Sequence, residues 1–169
     1  MPPEVSEATR HVMQANRSKN TKPELLVRHA LREAGLPGYR LHWKKAPGKP
    51  DVCFPGRRVA VFVNGCYWHR CPYCALPLPK TNVEFWEAKF SRNRARDERD
   101  QQLLLSQGWK VLVVWECRLK GERFDATMRD LVHEIDQPLV GAEGRLVEVG
   151  STAPWKLAIR RKRMGRRRR

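Results

Sequence analysis

No stretch of this chain approaches the roughly 20 consecutive apolar residues that span a bilayer, and its opening residues, MPPEVSEATRHV, hold neither a basic leader nor an apolar segment. The expectation is a cytoplasmic protein, neither secreted nor integral to a membrane. Cysteine is scarce, and its count of five is odd, which argues against a disulfide scaffold. Acidic residues are short as well: 18 Asp and Glu stand against 34 Lys and Arg, giving a net charge of +16. What is present is 169 residues, 41% apolar and 31% charged, which suits one domain with a modest core and is too apolar for a disordered polyelectrolyte.

The positive charge is uneven. Arg160 to Arg169 contributes eight basic residues, half of the net +16, and the other half lies in the body. Basic side chains facing phosphates release counterions and steer association, so a polyanion is the implied partner. An anionic membrane is the rival, but no amphipathic anchor accompanies the tail. A solvated tail that aids solubility is the plainest alternative.

Thr21-Lys22-Pro23-Glu24 is a capping box with proline in the first turn. It predicts a helix to about Ala34 that buries Leu25, Leu26, Ala30 and Leu31 and stops at Gly35. Tyr39–Lys44 and Asp51–Phe54 predict strands, with a tight turn at 55–58. Val59–Val63 is unbroken apolar, as expected of a strand covered on both faces. Thr81-Asn82-Val83-Glu84 predicts a second capping box and a helix to about Gln107. Trp109–Trp115 predicts another buried strand, reached by a connection long enough for a parallel crossover. Phe124, Met128, Leu131, Val132 and Ile135 mark a final amphipathic helix before Pro138. This α-β-β-β-α-β-α order predicts a three-layer α/β domain over residues 21–138. Residues 1–20 read as an arm, and 139–169 as an extension ending in the basic tail.

Cys71-Pro72-Tyr73-Cys74 is a C-x2-C knuckle, with Cys66 five residues earlier and Cys117 just after the second buried strand. Three clustered thiols and one distant one could complete a tetrahedral zinc site, clipping an irregular loop to the sheet. A redox pair and unrelated buried thiols remain alternatives, and His69 is a possible further ligand. Cys53, inside a strand, reads as core.

Asp51 opens one strand, and the next ends at Asn64 with His69 in the following loop. A hairpin would bring Asp51 towards Asn64 and His69, where a carboxylate can hold Mg2+ and an imidazole can take a proton from water. On the residues alone, Asp51 could equally be a turn former and His69 a zinc ligand. Trp86, Lys89 and Asn93 lie on one stripe of the long helix, a combination suited to stacking and to phosphate or base-edge contact. The mixed charges of Ser91–Gln102 read mostly as a solvated helix face.

Several segments together resemble the bacterial very-short-patch-repair DNA mismatch endonucleases. They are RSKNTKPE at 17–24, PGKPD at 47–51, VFVNGCYWH at 61–69, KTNVEFW at 80–86, GWKVL at 108–112 and WEC at 115–117. The resemblance implies a restriction-endonuclease-like fold with a central mixed sheet flanked by helices and a structural zinc on Cys66, Cys71, Cys74 and Cys117. It implies Mg2+-dependent nicking of one strand, 5′ to the thymine of the T:G mismatch left by 5-methylcytosine deamination, which initiates very short patch repair. By position, Asp51 would bind Mg2+ with the Val63 carbonyl, His69 would be the general base, and Glu24 would act through the metal's hydration shell. Tyr67, Trp68 and Trp86 would wedge beside the mismatch, where unstacking a defective pair costs least. Lys89 and Asn93 would read it. The implied partners are mismatched duplex DNA, which would place the protein at the nucleoid, and other repair proteins; nicking one strand needs only a monomer.

Two positions depart from the pattern. Val63 replaces a threonine, which a backbone contact tolerates. Asn64 stands where a second catalytic histidine is expected, and an amide cannot shuttle protons. A general or restriction-type nuclease of the same fold, and a mismatch-binding module impaired through Asn64, are therefore the alternatives.

Overall fold

The computed structural model describes residues 18–150, together with Glu7, Arg10 and His11. Most of the predicted N-terminal arm and the Arg-rich tail lie outside the described residues. Helix α1 (Lys22–Glu33) is followed by β1 (Arg40–Leu41), β2 (Val52–Phe54) and β3 (Val59–Asn64). Then come the long α2 (Val83–Ser106), β4 (Lys110–Trp115), α3 (Arg123–Asp136) and β5 (Arg145–Glu148). The five strands form one mixed sheet in the order β1-β2-β3-β4-β5. β1, β2 and β3 pair antiparallel, whereas β3, β4 and β5 run parallel.

The apolar runs of β3 and β4 place them at the centre of the sheet, covered on both faces. Val59, Val61, Val63, Leu112 and Val114 meet α1 and α3 through Val27, Leu31, Met128, Leu131 and Ile135. Ala60, Val111, Val113 and Trp115 face the opposite way, onto Leu104 of α2, Cys66 and Cys71. The predicted three-layer α/β arrangement and the crossover through the long helix are both present. Cys53 is buried in β2. Among the described residues no helix is long and apolar enough to cross a membrane.

Four expectations are corrected. Leu25 and Leu26 are 51% and 37% exposed, because the inward stripe of α1 is Glu24, Val27, Arg28 and Leu31. Glu24 and Arg28 turn inward as an ion pair of 2.8 Å, shifting the buried face by one residue. The first strand is only two residues long, since His42 enters the left-handed region at φ 45°. The second capping box does not form: Asn82 is itself left-handed, at φ 54°, and its side chain makes no cap. Residues 145–148, read as extension, supply β5, whose ladder continues with Val149 N–H donating to Val113 O at 2.9 Å. Gly144 permits that docking, since a β-carbon there would stand 2.7 Å from the Trp109 carbonyl oxygen.

A buried lysine fastens the other side of the sheet. Lys110 is 1% exposed, and its Nζ donates to the carbonyls of Glu134 and Gln137 at 2.7 and 2.9 Å. A cation at the carboxyl end of α3 satisfies carbonyls that have no partner within the helix.

Candidate active site and thiol cluster

Parallel pairing of β3 with β4 sets Asn64 opposite Trp115. Cys66 and Cys117 each follow their strand by two residues, so this register brings a near and a distant cysteine together. Cys117 N–H donates to Cys66 Sγ at 3.3 Å, and Cys71 Sγ lies 3.8 Å from Cys117 Sγ. With Cys74, the four sulfurs all fall within 4.8 Å of one another. Zinc–thiolate bonds of roughly 2.3 Å in a tetrahedron set sulfurs about 3.8 Å apart, so this donor set fits a thiophilic, four-coordinate cation. Thiol hydrogen bonds from Cys117 and Cys66 hold Cys71 well below the ordinary cysteine range. His69 is outside the cluster, which removes it as a further ligand. Between the knuckle cysteines, Tyr73 donates to Glu148, and the Arg118 guanidinium lies over its ring at 5.0 Å. The loop is thereby tied to β5.

The β2–β3 hairpin places Asp51 beside the end of β3, where its Oδ2 accepts the Val63 N–H at 2.7 Å. Burial pushes the Asp51 carboxyl up to about 7, with the Val63 N–H opposing it. Once ionised, this half-buried carboxylate offers the acceptor-only oxygens that a hard dication takes. Glu24 sits nearby but is already committed. It accepts from Asn20 N–H at 3.0 Å, from the Thr21 hydroxyl at 2.9 Å and from Arg28 at 2.8 Å. That set leaves it suited to a role outside a coordination shell rather than to direct ligation. His42 completes a group with Glu24 and Asp51 whose ligand-type atoms lie within 4.8 Å of one another. Burial lowers the His42 pKa; Glu24 works against that shift and Arg28 with it.

His69 Nδ1 hydrogen-bonds Asp97 Oδ2 of α2. A carboxylate there fixes the tautomer with the proton on Nδ1 and leaves Nε2 as the free acceptor. Asp97 was not among the expected site residues; it lay hidden in the mixed charges of the long helix. Its signal was the stripe that already joined Trp86, Lys89 and Asn93, continued by one further turn.

The aromatic residues are brought together, but not as three exposed blades. Trp86 is 6% exposed and stacks on Phe90 at 5.7 Å. Tyr67 and Trp68, half-buried, meet edge to face at 5.1 Å and rest on Trp86 at 6.3 and 6.0 Å. Asn93 donates to the Trp68 carbonyl at 3.1 Å, and Lys89 Nζ lies 6.0 Å from the Trp68 ring. Both therefore converge on Trp68.

A groove of about 1000 Å³ connects these groups. Glu24, Asp51, Val63, Asn64, His69 and Asp97 line it, as do Trp68 and Asn93. Lys19, Lys49, Lys89, Arg96 and Arg99 line it too, so cations and carboxylates share the groove. A phosphate in the groove would meet both positive charge and carboxylates.

The family model for DNA mismatch endonuclease Vsr matches residues 5–74. A DNA mismatch endonuclease Vsr from Escherichia coli K12 is 34% identical over 146 residues, covering 86% of this chain and 92% of that protein. The chain belongs to the Vsr family. Type II nicking enzyme V.XorIIP of Xanthomonas oryzae pv. oryzae is 47% identical over 113 residues, covering 67% of this chain and 82% of its own length. Type II nicking enzyme V.NmeAIP of Neisseria meningitidis is 38% identical over 125 residues, with 71% and 89% covered. Within a Vsr-family chain, the groove beside β3 is the candidate active site, and the thiol cluster next to it is a candidate metal centre.

Proposed function

We propose that this DNA endonuclease of mismatch repair nicks one strand of duplex DNA 5′ to the thymine of a T:G mismatch. The reading is carried by the convergence of Asp51, the His69–Asp97 pair and Trp68 on one cation-lined groove. The names of the relatives, nicking enzymes among them, support scission of a single strand. The three-layer mixed sheet supports a restriction-endonuclease-like arrangement. In this reading zinc occupies Cys66, Cys71, Cys74 and Cys117 and keeps the 65–80 loop in shape beside the groove.

Mg2+ held by Asp51 and the Val63 carbonyl would neutralise charge on the scissile phosphate. His69 Nε2 accepts a proton from the attacking water, while Asp97 stabilises the imidazolium that results. In-line attack on phosphorus breaks the bond to the 3′ oxygen, leaving 3′-hydroxyl and 5′-phosphate ends. Glu24 orders the Asp51 side of the groove, and Asn64 contributes an amide rather than a proton. Tyr67 and Trp68 reach the DNA at the mismatch, with Trp86 as the platform beneath them. Lys89 and Asn93 flank Trp68 and read the mismatched pair.

The test is strand-specific cleavage of T:G and fully paired duplexes with and without Mg2+. Asp51→Ala and His69→Ala are each expected to abolish nicking of the T:G duplex while binding persists. Full activity in either variant, or equal cutting of paired duplex, overturns the reading.

A further inference from the structure

We propose that His42 is a positioning residue of the reaction centre, orienting Oδ1 of Asp51 while the Val63 N–H holds Oδ2. The inference rests on the reading of Asp51 given above and adds a residue that the motifs did not single out.

The ring's tautomer follows from its neighbour. A guanidinium can only donate, and Arg28 Nη2 lies 3.0 Å from His42 Nε2. Nε2 therefore presents its lone pair, and the neutral ring carries its proton on Nδ1. A proton on Nε2 would abut the guanidinium and reach Glu24 Oε2 only at 3.4 Å. Nδ1 faces Asp51 Oδ1 across 3.7 Å. That separation is past hydrogen-bond length, so the N–H acts on the carboxylate as an oriented dipole.

Arg28 is itself anchored, donating to Asn20 Oδ1 at 2.6 Å and to Glu24 Oε2 at 2.8 Å. The first turn of α1 thus fixes a guanidinium, the guanidinium fixes an imidazole, and the imidazole faces the carboxylate. His42 reaches that place on a left-handed backbone, φ 45°, a region histidine enters more readily than most residues. With Asn64 lacking an imidazole, His42 is the second imidazole of the groove after His69.

The closing experiment uses the full chain. ¹⁵N-histidine NMR of the wild-type chain, with His42 assigned by through-bond correlation of its ring to the backbone, is expected to show the Nδ1–H tautomer; an Nε2–H ring overturns the proposal without any variant having to fold. In single-turnover nicking of T:G duplex, His42→Ala is expected to raise the Mg2+ concentration for half-maximal rate about 10- to 100-fold, with DNA affinity unchanged. His42→Gln can accept from Arg28 and donate towards Asp51, and is expected to recover most of that loss. Wild-type Mg2+ dependence in His42→Ala, or no recovery in His42→Gln, overturns the proposal. Asp51→Asn separates the two failures: if it still nicks, the reading of the site falls, whereas an inactive Asp51→Asn beside a normal His42→Ala removes His42 alone.

Discussion

The thiol cluster and the carboxylate–imidazole groove grow from the same end of β3, yet they are built on opposite plans. The cluster collects four identical donors from two loops, and their hydrogen bonds run to one another. The groove uses unlike groups, each of which leans on a neighbour outside it: Asp51 on Val63, His69 on Asp97, His42 on Arg28. Four like donors brought together suit a cation that stays. A set of unlike groups, each separately fixed, suits a ligand that arrives, reacts and leaves.

Three perturbations sharpen that contrast. The largest effect is expected from Cys117→Ser, which removes the proposed metal ligand that joins the loop to β4. Structural zinc in small sites contributes on the order of 10 kcal/mol of apparent binding energy. The variant is expected to lose stoichiometric metal by elemental analysis and to melt far below wild type; retention of one metal per chain would break the assignment.

Asp97→Asn comes next. The amide keeps the shape but not the charge proposed to stabilise the imidazolium, so single-turnover nicking should fall by about 10²-fold or more with melting temperature little changed. Equal loss of nicking and stability would instead make Asp97 a structural contact.

The smallest effect concerns Asp51 in protein without added Mg2+. Its carboxyl is raised from 3.8 to about 7 by burial. Between those values the folded chain keeps a proton that the unfolded chain has released, so stability falls as pH rises across that window and then levels off. The displacement corresponds to at most about 4 kcal/mol. Asp51→Asn should therefore melt higher than wild type above pH 7 and coincide with it below pH 4. Added Mg2+ should stabilise the wild type alone. Coincident melting curves at pH 8 would show that burial does not penalise the carboxylate.

Much of this architecture was legible because it depends on composition over several residues. The uniform apolarity of Val59–Val63 and Val111–Val114 could serve only strands covered on both faces. Cysteine spacing announced the cluster, since so few other roles bring four thiols together. Asp51 and His69 were legible through hairpin geometry and family resemblance. What escaped depends on single conformations or on partners distant in sequence. Leu25 and Leu26 lost the inward face to an ion pair that no apolar periodicity registers. A left-handed Asn82 cancelled a well-formed capping sequence. Docking of β5 turns on the absent side chain of Gly144, and the position of His42 on the handedness of one residue. Asp97 sat among seven charges of mixed sign, Arg92 to Asp100, where only its alignment with Trp86, Lys89 and Asn93 marked it out.

The parallel register that sets Asn64 opposite Trp115 also carries a consequence for the order of folding. Cys66 and Cys117 are 51 residues apart in the chain. During synthesis Cys66, Cys71 and Cys74 emerge together, while the fourth thiol waits for α2 and β4 to be made. Closing so long a loop is slow and costs entropy before any contact repays it. In the proposed metal centre the fourth thiol can join only when β4 lies down beside β3, the same step that forms the groove.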